Sequence, residues 1–400
     1  MLGRRGRGTP QGAFTDEIRG LLLRIPGVSG VDRRGDLRLT VHRSGHQGPL
    51  EVYLENLFAE VAGVGSEERQ ARIGQFLVMA SRDEGKADWP DASASLMPGL
   101  KGIGWVAQSA TRGAKPVAWT PFAPFVVKVT AVDQPTSMSF VTEDDLGRWG
   151  VAAAEIEERA VANLGSSELP LAESEAVPGA FHIVGPDGYA SSWLAVPGLF
   201  DAVADAVGGP ALALVPSRDT FCLVPLDDRD RVTAALAWAE EVYTQAPRRL
   251  SPVPYVAARS DGAVAVWQPP PDPGLVNAVA RAERILALYE YDEQRAVLAD
   301  LFERTGEDVF VAKLLVAEQP DGRVVSRASW AKGVNNGLLP RADLVMLGGE
   351  GVIETLEVPW EAACTIAADF IEAVPGMEPA RIRIVGWPEP VMAELRAAAV

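Results

Sequence analysis

Residues 139–150 read SFVTEDDLGRWG, passing from β-type residues through three consecutive carboxylates to a tryptophan. Three acids in a row can be a metal or catalytic cluster, or the first turn of a helix. The spacing favours the helix. Thr142 has a hydroxyl that can accept a first-turn N–H, and Glu143, Asp144 and Asp145 meet the positive end of the helix dipole. Thr142 and Asp145 also approximate a capping box, with Asp145 in the place usually held by Glu or Gln. Leu146, Trp149, Ala153, Ile156, Ala160 and Leu164 then recur at helical spacing. Gly147 and Gly150 each cost about 1 kcal/mol inside a helix, so two short helices broken near Gly150 are expected. Successive acids fan around a helix axis instead of converging on one point, which argues against catalysis or metal binding here.

Outward from this stretch the chain alternates helical and strand patterns. On the N-terminal side, residues 14–23 form an amphipathic helical pattern through Phe14, Ile18, Leu21 and Leu22. Residues 36–43 and 51–54 read as strands, 57–80 as helix and 126–132 as strand. On the C-terminal side, strands are expected at 181–184, 211–215 and 221–224, and a helix at 229–243. Residues 255–259 and 263–267 flank Asp261-Gly262 as a hairpin. QPPPDPG at 268–274 can continue neither helix nor sheet. Beyond it lie a helical stretch at 275–304, with a break considered at Tyr291-Asp292, and strands at 309–317 and 323–330 joined by Asp321-Gly322. A strand at 342–347, a helix at 360–373, a strand at 381–385 and a helix at 391–398 complete the pattern.

The expected fold class is α+β, with mixed, mainly antiparallel sheets and packed helices, followed by a second, smaller α+β domain. The expected division is a disordered tail at 1–11, an N-terminal lobe at 12–82 and a flexible linker at 83–115 rich in Gly, Ser, Ala and Pro. A central lobe at 116–268, a proline-rich linker at 269–273 and a C-terminal domain at 274–400 follow.

Composition bounds the function. Of 400 residues, 48% are hydrophobic and 23% charged, which fits a folded globular chain. Lys and Arg number 37 against 54 Asp and Glu, and the net charge of −17 repels a phosphate backbone, so no nucleic-acid partner is expected. Arg4, Arg5 and Arg7 form a dense basic cluster among Gly and Pro that reads as a solvated tail, and no apolar segment follows to make an export signal. No run approaches the ~20 apolar residues that span a bilayer, so no membrane partner is expected. Cys222 and Cys364 lie far apart, which suits a reducing cytoplasm.

Each tempting chemistry is incomplete. His42 and His46 stand four apart, but in a strand-and-turn setting without further metal-ligand spacing, and His182 is isolated. GLKGIGW at 99–105 lacks the strand and the Gly-Lys-Ser context of a phosphate loop. Ser329 and Lys332 fit SxxK without the companion Lys-Thr-Gly. No metal or cofactor is expected. Ser217, Arg218 and Asp219 interrupt two apolar strands, and Arg218 can fork an anionic group while Asp219 orients it. The alternative there is a plain hairpin turn.

SMSFVTEDDLGRWGV, the helix ending near Asn163-Leu164, VPSRDTF, LSPVPYVAARSDG and the YLENLF at 53–58 together resemble the YtpQ-like family of uncharacterised bacterial proteins over residues 12–268. The resemblance implies no activity, substrate or catalytic residue. The leading expectation is a non-catalytic binding or accessory protein. A hydrolase-like enzyme with a polar site near Arg218 and Asp219 is one alternative. Recruitment of a protein partner through the C-terminal domain is another, since residues 142–175 carry nine acids against two arginines that would steer a basic partner.

Overall fold

A computed structural model describes residues 9–44, 50–81, 88–111, 116–134, 137–184, 188–258, 263–349, 351 and 354–400. The chain forms two compact units, one of residues 1–95 and 132–139, the other of residues 96–131 and 140–400.

The first unit opens with α1 (Pro10–Leu22), whose N-cap Thr9 accepts the Gly12 N–H and whose first residue is proline. Thr-Pro is a helix start, because the proline lacks only an N–H that the first turn leaves unbonded. Residues 10 and 11 therefore belong to the helix and not to a disordered tail. The strands β1 (Val28–Gly35), β2 (Arg38–Arg43) and β3 (Leu50–Tyr53) pair antiparallel in that order. Helices α2 (Glu55–Val61), α3 (Ser66–Ser81) and α4 (Trp89–Ser93) follow. Phe14, Ile18 and Leu22, four apart on α1, meet Val31, Leu39, Val41 and Leu54 in the core. The helix expected across 57–80 is split at Ala62-Gly63.

In the second unit, β4 (Leu96–Gly102) and α5 (Ile103–Thr111) occupy about half of what composition marks as a linker at 83–115. That expectation is corrected: β4 alternates buried and half-buried residues, and its glycines permit close backbone approach. Then comes β5 (Trp119–Ala123), while β6 (Val126–Gln134) and β7 (Ser137–Phe140) are divided between the units at residues 131–132 and 139–140. Helix α6 (Glu143–Trp149) has the capping box read from the sequence, with Thr142 accepting the Asp145 N–H and Asp145 accepting the Thr142 N–H. Gly150, left-handed at φ 66°, ends it, and α7 (Ala153–Gly165) follows. Glu143 and Asp144 face water while Asp145 is buried, so the three acids do not converge.

The central sheet contains β8 (Leu171–Glu173), β9 (Phe181–Ile183), β10 (Ala211–Ser217), β11 (Thr220–Pro225), β12 (Arg249–Ala257) and β13 (Val264–Val266), in the order β13-β12-β10-β11-β9-β8 with antiparallel neighbours. The turn residues 261–262 lie outside the described residues. All seven β10 side chains are buried because both faces are covered. Ala211, Ala213 and Val215 meet α8 (Leu199–Val207), while Leu212 and Leu214 meet α9 (Arg229–Gln245).

Helix α10 (Pro273–Thr305) is unbroken at Tyr291-Asp292, contrary to the break considered there. The proline run ends as its cap, with Asp272 accepting the Gly274 and Leu275 N–H groups. Leu275, Val279, Ala282 and Ile285 then pack into the cores on the central sheet. The compact unit thus continues through residues 269–273, and no separate compact domain begins at 274.

The remainder builds two further sheets from β14 (Phe310–Val311), β15 (Leu314–Glu318), β16 (Val324–Ala331), β17 (Gly337–Pro340), β18 (Leu344–Gly348), β19 (Leu356–Pro359), β20 (Ile371–Ala373) and β21 (Arg381–Ile384). Most neighbours are antiparallel, but β14–β17 and β16–β18 are parallel. Helices α11 (Trp360–Ile366) and α12 (Met392–Ala397) cover them around Trp330, Leu347 and Val358. The helix expected at 360–373 stops at Ile366 and passes through a 3-10 turn into β20. The α+β class read from the sequence is the class observed. Among the described residues no helix is long and apolar enough to cross a membrane.

Arg381 ties α10 to these sheets. Its guanidinium donates to Gln294 Oε1 at 2.6 Å, to the carbonyls of Ala312 at 2.8 Å and Leu338 at 3.2 Å, and to that of Tyr291 at 3.1 Å. Every acceptor is neutral, and burial pulls the guanidinium down to about 10. Arg381→Ala is expected to cost roughly 3 kcal/mol in urea unfolding because several buried carbonyls lose their donor. Arg381→Lys should recover less than half, since an ammonium cannot reproduce the planar fork.

Candidate functional site

Ser217, Arg218 and Asp219 lie where β10 turns into β11, with Ser217 opposite Thr220. The polar run breaks two apolar strands, and that is why the chain reverses at this point. Ser217 is buried, and its hydroxyl donates to Thr220 Oγ1 at 2.7 Å. A hydroxyl acceptor is no general base, so Ser217 is not set up as a nucleophile.

Arg218 is fixed on three sides. Its N–H donates to the Arg248 carbonyl at 3.0 Å, its carbonyl accepts the Ser191 N–H at 3.2 Å, and its Nε donates to the Gly188 carbonyl at 2.9 Å. Gly188 sits at φ +92°, and a Cβ there would collide with the Arg218 guanidinium. Asp219 is half exposed, with its carboxylate 3.8 Å from Arg218 Nε and 3.8 Å from Arg248 Nη1. Burial holds Arg248 below the ordinary guanidinium range.

Lys101 on β4 adds a third cation. Burial first, then repulsion from Arg218, brings its ammonium down to about 8, and Asp219 opposes the shift. Its Nζ lies 5.0 Å from the Trp105 ring and 5.2 Å from the Phe140 ring, whose faces stabilise a cation without neutralising it. Beside this rim Ser191 Oγ is buried and bonded to no partner among the described residues. Arg218 and Arg248 thus flank the Asp219 carboxylate, and Lys101 lies near enough to feel both Arg218 and Asp219, in a chain of net charge −17. Such a group can receive an anion, with Asp219 as the internal counter-charge that the anion displaces.

Sequence reasoning named the turn but missed Lys101 and Arg248. Lys101 lay in a segment read as loop. Its signal was the Gly-x-Lys-Gly-x-Gly-Trp spacing, in which the glycines serve packing. Gly102 and Gly104 face Glu290 of α10, and a Cβ at 104 would stand 3.0 Å from its Oε2. The Gly104 N–H donates to that oxygen at 2.6 Å. Glu290 is 6% exposed, and burial, reinforced by Glu293, pushes its carboxyl up to about 8.

His42 Nε2 lies 3.0 Å from Asp32 Oδ2, and His46 lies outside the described residues. Among the described residues no group of three His, Cys, Asp or Glu side chains gathers to hold a metal. Burial pushes the Cys222 thiol up to about 12, which removes its nucleophilic form. Ser329 lies on a strand, and Lys332 follows that strand and pairs with Glu389 at 3.3 Å, so the SxxK spacing is not on a helix.

Compared with protein-family models, curated proteins and solved structures, the chain matches none.

Gly188→Ala is expected to destabilise the chain by about 2 kcal/mol or more, because it combines a strained positive φ with a clash against Arg218. Urea unfolding measures the loss, and an unchanged midpoint would contradict the clamp.

Proposed function

We propose that this is a non-catalytic binding protein that recognises an anionic group, carboxylate or phosphate, at the β10–β11 turn. The observation that carries it is the placement of Lys101, Arg218 and Arg248 about the half-exposed carboxylate of Asp219. Arg218 is held rigid by Gly188, so little entropy is lost when it takes a ligand oxygen. The Ser217 contact to Thr220 supports binding over hydrolysis. The resemblance of residues 12–268 to the YtpQ-like family belongs to the same proposal and adds no substrate. A cytoplasmic setting is part of it too, supported by the two free cysteines.

Recruitment through residues 274–400 has less support, because α10 is packed into the core of the central sheet. Removing that segment would uncover Val279 and Leu286 partners instead of deleting an appendage.

Titration calorimetry at neutral pH and low salt, with inorganic phosphate and with succinate, tests the reading. Lys101→Gln and Arg248→Ala are each expected to weaken binding about tenfold, which is about 1.4 kcal/mol. Asp219→Asn is expected to strengthen it, since the ligand no longer displaces an internal carboxylate. Absence of heat with both anions overturns the proposal, and anion turnover abolished by Ser217→Ala would replace it with the enzyme reading.

A further inference from the structure

Glu290 is a buried acid on α10, set against the β4–α5 turn. Its carboxyl lies against Gly102 and Gly104, neither of which could carry a Cβ without pressing on it. Among the described residues the Gly104 N–H is its one hydrogen-bond partner. A neutral carboxyl tolerates that setting, whereas a buried carboxylate needs several donors or a cation.

Among the described residues the groups that face it supply neither. On α10 itself Glu293 adds like charge, and Tyr289 packs edge-on to Tyr243 at 5.4 Å. From α5, Gln108 Nε2 is 3.5 Å from Glu293 Oε2. From α9, Tyr243 is fully buried, and its hydroxyl has no partner among the described residues. Burial followed by Glu290 and Glu293 raises that phenol well above its ordinary value, with Arg249 of β12 opposing. Arg249 itself is stacked 4.4 Å over the Tyr289 ring and donates to the Tyr243 carbonyl at 3.0 Å.

We propose that Glu290 is a proton-operated latch between α10 and the β4–α5 turn: protonated, it holds residues 102–104 against the helix, and ionised, it releases them and withdraws Lys101 from the anion site. The second half rests on the binding reading above, while the first half does not. Lys101 immediately precedes Gly102, so a displacement of the turn carries this cation with it. The direction follows from linkage. Folded, Glu290 keeps its proton up to about 8, while an unfolded carboxyl releases it near the ordinary 4.5. The contact is therefore strongest at low pH, weakens as pH rises between these values, and is open above the folded one.

Amide hydrogen exchange of the full chain, corrected for intrinsic rates, reads the latch without any ligand. Protection across residues 96–111 is expected to fall about tenfold or more between about pH 6 and about pH 9 in the natural chain. Glu290→Gln is expected to keep its protection, because its amide oxygen still accepts the Gly104 N–H and cannot ionise. Lys101→Gln should lose protection like the natural chain, which separates the latch from discharge of the lysine. Constant protection in the natural chain, or the same loss in Glu290→Gln, overturns the proposal. Should Glu290→Gln not fold, infrared difference spectra of the natural chain decide. A buried protonated carboxyl present at neutral pH and lost near pH 8 supports the latch, and its absence at neutral pH overturns it.

Phosphate titration across the same pH range tests the coupling, with binding expected to weaken about tenfold more in the natural chain than in Glu290→Gln. A working latch without phosphate or succinate binding removes the anion site and leaves the latch. Binding with constant protection does the reverse.

Discussion

Helix α10 can lie where it does because two glycines make room for the buried Glu290, whose carboxyl burial pushes up to about 8. The Gly104 N–H meets the carboxyl at 2.6 Å across 186 residues of sequence, and a Cβ at 102 would displace that carboxyl. One turn on, the helix grips in another direction. The Tyr291 hydroxyl donates to the Ala380 carbonyl at 2.7 Å, and Gln294 Nε2 donates to the Pro379 carbonyl at 2.7 Å. Arg284 forks Asp343 with two bonds of 2.8 Å each. A 33-residue helix is about 50 Å long and has little stability of its own, so these contacts and its apolar residues hold it in place.

The buried and half-buried cations differ in how fully they are satisfied, and that difference separates structure from binding. Arg381 is buried and spends four of its five N–H donors on neutral oxygens. Arg327 is matched by Glu357, two bonds at 2.7 and 3.0 Å. Lys101 touches aromatic faces, which stabilise its charge without cancelling it, and Arg218 commits Nε to a carbonyl while sharing one distant carboxylate with Arg248. The charge that Lys101 and Arg218 carry on a rigid frame is what supports the proposed anion site at the turn after β10.

Features governed by near neighbours were legible in the sequence. The capping box at Thr142 and Asp145, the apolar runs of β10 and β11, and the hairpin at Asp321-Gly322 each depend on residues a few positions apart. What failed depends on distant partners. Gly99, Gly102 and Gly104 looked like flexibility because the atoms that exclude a Cβ belong to Val129 and Glu290. β1 was missed because Val31 is its one fully buried residue and its charged residues face water. The prolines at 269–273 read as a domain boundary, although they end β13 and cap a helix that returns to the same core. Lys101 was invisible as a site residue for the same reason as its strand.

The choice of acid at 290 bears on the anion site in both directions. A glutamine would offer Gly104 the same oxygen without any dependence on pH, so the property that distinguishes glutamate here is its proton. Linkage is reciprocal: if protonation of Glu290 favours the arrangement that presents Lys101, then an anion seated on Lys101 must favour protonation of Glu290 by the same free energy. The anion also holds Lys101 in its charged form, opposing the burial that brings that ammonium down to about 8. Two protons, one on a buried acid and one on a half-buried amine, are then retained together by a single bound anion. On the proposed latch, proton uptake on binding near pH 8 follows from the adjacency of Lys101 and Gly102, because the residue after the cation is one against which the acid lies.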